Sequence, residues 1–169
     1  LKTISEIVNN CSYDVDDTIE CDGEYDLTNS SANECPLYET SLVTTGIVVD
    51  YFDIEPFGGP RSFTIRDENN NFVDFVVWKD SNSYQDGFDI TQTAFNVLTD
   101  SDNFGLYEVQ IAGELGVYCD DNQELDVTSE WHITVEYLED ISILSVGNLG
   151  CTDSSACNFD QDATVDDGS

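Results

Sequence analysis

Residues 41–52 (SLVTTGIVVDYF), 61–66 (RSFTIR) and 72–78 (FVDFVVW) are three runs of alternating apolar residues with little but turn chemistry between them, and they decide the fold. In the first run, Val43, Thr45, Ile47, Val49 and Tyr51 fall on one face at a period of two. Leu42, Val48 and Phe52 share the other face with Thr44, Gly46 and Asp50. Apolar groups on both faces predict a long, mostly covered strand. Gly46, in its middle, has no side chain to pack and marks the kind of bend or bulge a barrel strand needs. Residues 67–71 (DENNN) join the second and third runs as a hairpin loop, because Asp and Asn bond their own main chain and tolerate left-handed backbone. No catalytic constellation sits in this stretch.

Working outward, residues 107–115 (YEVQIAGEL) alternate most cleanly. Tyr107, Val109, Ile111, Gly113 and Leu115 face inward, and Glu108, Gln110, Ala112 and Glu114 face water. Residues 131–137 (WHITVEY) repeat the pattern, with Trp131, Ile133, Val135 and Tyr137 opposite His132, Thr134 and Glu136. His132 therefore points away from the core, and no Ser or Cys nucleophile signature accompanies it. In residues 89–98, Ile90, Ala94, Val97 and Leu98 have helical spacing weakened by Thr and Asn, which predicts a short helix or irregular bridge. Residues 2–8 (KTISEIV) predict a short strand anchored by Ile4 and Ile7. Strand, hairpin pair, helix slot, strand, strand is the order of an all-β, five-stranded OB-like Greek-key barrel. We assign residues 1–140 to it, including a long Cys-bounded acidic loop at 9–40. Residues 141–149 are then a linker, and 150–169 a small repeat-like appendage.

Charge narrows the partners. The 169 residues hold 36 Asp and Glu against 4 Lys and Arg, a formal net charge of −32, which repels phosphate over the whole surface. Nucleic acid and anionic membranes are excluded as expected partners. No run approaches the roughly 18 apolar residues of a membrane-spanning helix. The chain begins without Met or a leader-like segment, as expected of a processed start. Six cysteines stand against a single histidine, without paired CxxC spacing, so disulfides are expected rather than zinc. The candidates are Cys11, Cys21, Cys35, Cys119, Cys151 and Cys157, with their connectivity open. Oxidised cysteines place the protein outside the cell or on its surface.

Two stretches have carboxylates spaced to converge on a hard cation such as calcium. Asp14 and Asp16 lie in the loop between Cys11 and Cys35, while Asp160, Asp162, Asp166 and Asp167 follow one another in the tail. The loop from Asp14 lacks the glycine and glutamate positions of an EF-hand. Adjacent pairs such as Asp120 and Asp121 are ordinary in so acidic a chain and carry no acid–base assignment.

The layout of ISEI at residues 4–7, LVTTGIVVDYF and SFTIRDENN resembles the OB-like modules of secreted bacterial proteins, some attached to extracellular nucleases. The tail, GCTDSSACNFDQDATVDDGS at 150–169, closely resembles the GCTD...ACNF...ATVDDGSC repeat of secreted proteins from marine and gliding bacteria. The repeat's closing cysteine would come next, implying that the natural polypeptide continues. Together these resemblances imply a non-enzymatic extracellular structural or adhesive module. Such a module would self-assemble as a filament or surface-layer subunit, stabilised by disulfides and calcium. An extracellular glycan or another protein is a further expected partner class. The alternative is an accessory binding domain of a secreted hydrolase or nuclease whose catalytic part lies elsewhere.

Overall fold

The computed structural model describes residues 1–11, 35–54, 56, 59–78, 90, 93–117, 131–166 and 168. Its first element corrects an expectation: residues 4–10 form a helix, α1 (Ile4–Asn10), rather than a strand. Thr3 is the N-cap, its hydroxyl accepting from the Glu6 N–H at 3.0 Å while the Glu6 carboxylate accepts from the Thr3 N–H at 2.9 Å. Ile4 and Ile7 are both anchors, as expected, but through the i, i+3 spacing of a helix.

The strands β1 (Ser41–Asp53), β2 (Arg61–Arg66), β3 (Phe72–Val77), β4 (Tyr107–Val117) and β5 (Trp131–Thr134) close into a ring. Their pairings run β1–β2–β3–β5–β4 and back to β1. All are antiparallel except β3 with β5, so the architecture is an OB-type barrel. Ring closure makes β1 serve two neighbours. Residues 41–47 pair with β4 and residues 47–53 with β2. The change of partner falls beside Gly46, where a Cβ would lie 2.9 Å from the Ile4 Cδ1 and 3.1 Å from the Arg66 carbonyl oxygen. Gly46 is thus a place of close approach, and the irregularity in β1 falls two residues further on.

Just beyond it the register shifts between Val48 and Asp50, so Val49 is an extra residue in β1. An extra residue reverses which parity faces inward. Leu42, Thr44, Gly46 and Val48 are buried before it, whereas Tyr51 packs at a tilt against the core ring of Phe63 after it, with centroids 4.8 Å apart. That reversal is why both faces of the run look apolar in sequence.

Inside the ring, Tyr51, Phe63, Phe75, Ile133 and Leu115 are successive register partners across all five strands. Phe63 and Phe75 stack with centroids 4.7 Å apart, and both are fully buried. Val109, Ile111, Leu115, Ile133 and Val135 are buried as expected, while Tyr137 lies beyond β5 and is exposed. The helix slot holds a 3-10 turn at Ala94–Thr99, inserting Leu98 into the core.

The expected linker at 141–149 is a second correction. Ile141–Val146 is a sixth strand, β6, paired with the first half of β4 on the edge that the short β5 does not reach. The tail forms its own small sheet from β7 (Leu149–Gly150) and β8 (Val165–Asp166), which are parallel. Asn148 binds it together: its carbonyl accepts from the Thr164 and Val165 N–H groups, and its N–H donates to the Thr164 hydroxyl.

Cys11, the C-cap of α1, is disulfide-bonded to Cys35, which closes off the loop whose ends were expected to be tied. Both cysteines are buried with the core cluster. In the chain-entropy account, closing a loop of this separation, 24 residues, contributes about 3.5 kcal/mol. Replacing both with serine is expected to lower unfolding free energy by roughly 2 to 4 kcal/mol in urea titrations. An unchanged midpoint would show that the bridge does not restrain the unfolded chain.

Candidate functional site

The outer face of the barrel carries a row of polar groups one position along from the inner aromatic row. Asp50, Thr64, Asp74, His132 and Gly116 are successive register partners on β1, β2, β3, β5 and β4. Period-two alternation puts them outside, because their strand neighbours Phe63, Ile65, Val73, Phe75 and Ile133 all point in. Asp50 joins them only because of the extra residue at Val49. His132 is half-buried and outward, as expected, and the absence of a side chain at Gly116 leaves room for its ring.

Asp74 is the chemically distinctive member. It accepts a hydrogen bond from the Thr64 hydroxyl at 2.7 Å. Burial pushes its carboxyl above the usual range and the nearby Asp50 charge adds to this, while hydrogen bonds from Thr64 and Ser62 oppose the rise. Phe52 and Phe72 lie on the flanking rows and are largely exposed, 63% and 46%. The face therefore combines a carboxyl group, hydroxyls, an imidazole and accessible apolar rings, chemistry suited to holding a polar ligand by hydrogen bonds. Sequence reasoning passed over this row. Its signal was a lone Asp interrupting the apolar run FVDFVVW, opposite a threonine and a histidine at equivalent phases of their own strands.

The described basic residues are turned onto the chain itself. Lys2 reaches Glu6 at 3.5 Å, Arg61 is 3.6 Å from Asp53, and Arg66 donates to the Asn70 side chain at 2.8 Å. At the hairpin, burial opposes ionisation of Asp67, but hydrogen bonds from the Asn71 side chain and from the Asn71, Asn69 and Ser5 N–H groups lower its pKa overall. The loop is thus organised by its own Asp and Asn, with Asn70 at φ 60°.

The tail carboxylates are spread over local tasks. Asp160 accepts from the Asp162 N–H at 2.9 Å, Asp166 accepts from the Thr152 N–H at 3.5 Å, and Asp162 is exposed. Among the described residues, no three His, Cys, Asp or Glu side chains are grouped to hold a metal. Asp14, Asp16 and Asp167 lie outside the described residues, as do Cys21 and Cys119. Cys151 is a buried free thiol and Cys157 an exposed one, so these two disulfide candidates are not bridged here.

No family model matches the chain, and no curated protein matches it. Among solved structures it is similar to OBody AM3L09 bound to hen egg-white lysozyme, at 18% identity over 64% of this chain and 85% of that one, with a TM-score of 0.42. At that score the likeness carries no weight, and the OB-type assignment stands on the strand pairings.

A carboxyl whose pKa is raised by folding contributes stability that is complete below its unfolded pKa and is lost as pH rises through the folded value. Asp74→Asn keeps an acceptor for Thr64 without the charge. It is expected to raise the thermal midpoint at neutral pH, with the advantage vanishing below about pH 4, near the unperturbed Asp value. An advantage independent of pH would mean that charge is not what strains the site.

Proposed function

We propose that this chain is a non-enzymatic structural or adhesive module of the extracellular space that associates with copies of itself through a sheet edge. The single observation carrying the reading is β6. Among the described residues it is paired on one side only, with β4. The two edges expected from the sequence do not serve: residues 2–8 are mainly helical, and β5 is paired on both sides.

The β6 edge is unusual for this chain. Residues 141–152 (ISILSVGNLGCT) contain no Asp, Glu, Lys or Arg, the longest such run in a molecule of net charge −32. Leu144, Val146 and Leu149 are exposed, at 50%, 54% and 53%. Charged side chains and prolines are what ordinarily keep an open edge from pairing. Here one feature resists, an extra residue at Leu144 where the register with β4 shifts between Glu108 and Val109. Two copies that repel each other everywhere else can meet along this strip with the least opposed charge.

Extracellular placement is supported by the Cys11–Cys35 disulfide and by the tail's resemblance to a secreted repeat. No helix among the described residues is long and apolar enough to cross a membrane. Sedimentation velocity over a concentration series is expected to show reversible association that strengthens with salt, because salt screens the opposing charge. Leu144→Glu, which guards the edge, should shift the population to monomer without lowering the thermal midpoint. A wild-type chain that stays monomeric throughout would contradict the reading.

A further inference from the structure

The sequence holds three runs of ten or more residues free of Asp, Glu, Lys and Arg: 40–49, 90–99 and 141–152. The first belongs mainly to β1, which both β4 and β2 engage and whose Val43 carbonyl accepts from the Lys2 N–H at 2.7 Å. The later part of β1 is guarded by charge, since the Tyr51 N–H donates to the Asp50 carboxylate at 2.8 Å. The second run carries the 3-10 turn at Ala94–Thr99. Only the third lies on a strand edge that is open among the described residues, that of β6. On a second copy, the uncharged edge that best matches β6 is therefore β6 again.

We propose that two copies pair β6 with β6, antiparallel about a two-fold axis at Leu144, to give a closed dimer. This rests on the reading of β6 as the associating edge and adds its partner strand, register and symmetry. About that axis Leu144 meets its own counterpart, and Ser142 of one copy faces Val146 of the other, so the exposed apolar side chains of both strands are brought together. The extra residue at Leu144 favours this partner. A bulge sharpens the local twist, which a regular strand meets poorly, whereas a second β6 has the same twist at the same residue. The symmetry sets the size of the assembly. A two-fold contact uses the same patch on both copies and closes, whereas a filament needs two different complementary patches on each copy. A strand of six residues makes a small contact, so the dimer is reversible. Because the strands run in opposite directions, the two tails leave from opposite ends of the pair.

Charge swapping on the axis separates this pairing from any other contact made by β6. Leu144 is 50% exposed, so either charge is accommodated in the folded monomer. Sedimentation equilibrium of the wild-type chain is expected to level off at twice the monomer mass. Leu144→Glu and Leu144→Lys, each alone, put like charges opposite each other and should each weaken association about fivefold or more. An equimolar mixture of the two variants should form a mixed dimer with an affinity within about threefold of wild type. A mass that climbs past the dimer without levelling off would overturn the two-fold pairing and leave association through β6 standing. So would Leu144→Lys associating alone as well as wild type, since a lysine set against a different, acidic surface of the second copy is not repelled. A mixture no tighter than its components would also overturn the pairing at Leu144. A wild-type chain that is monomeric at every concentration would overturn both the pairing and the reading it rests on.

Discussion

The structure depends on one demand, that a single strand pair with two different neighbours so that five strands can close into a ring. β1 gives its first half to β4 and its second half to β2, and the backbone must coil where the partner changes. Gly46 sits at that place, pressed by Ile4 from α1 and by the Arg66 carbonyl. Gly113 does the corresponding work on β4, where a Cβ would run into the Thr134 carbonyl oxygen of β5. The helix α1, the extra residue at Val49 and the stapling of Cys11 to Cys35 all attach to this same strand or to its approach.

From that closure follow two parallel rows, an aromatic one inside and a polar one outside. The Phe63–Phe75 stack fixes the relative height of β2 and β3. Because side chains alternate, fixing the inner row also fixes Thr64 against Asp74 outside. The raised pKa of Asp74 is therefore a consequence of register: a carboxyl is held against a sheet surface beside another acid, with hydroxyls as its immediate donors.

Much of the barrel was legible because period-two alternation is a strong signal where one face is buried. β2, β3 and β4 fall within a residue or two of their expected bounds, and the DENNN loop bonds itself as its composition implies. The failures have identifiable physics. Residues 2–8 were read by their apolar spacing alone, although Thr3 and Glu6 spell a capping box, and a cap can fix a seven-residue helix that propensity would leave unformed. ISILSV was passed over as linker because it alternates only weakly between faces; its burial falls from Ile141 to Val146 as it leaves the core. The outer row was invisible because register between strands, unlike period within a strand, is set by tertiary pairing. In the tail, Asp160 and Asp166 accept from N–H groups of the chain itself.

An acidic protein that assembles must do so where it has withheld its charge, and the proposed place in this chain is β6, the strand that precedes the tail. Hydrogen exchange of the β6 amides as a function of protein concentration tests this most directly. Those N–H groups of β6 that point away from β4 are expected to exchange freely in dilute solution and to become protected as concentration rises, while amides of the closed barrel strands stay constant. Protection of β6 that is the same at every concentration would contradict edge-to-edge association.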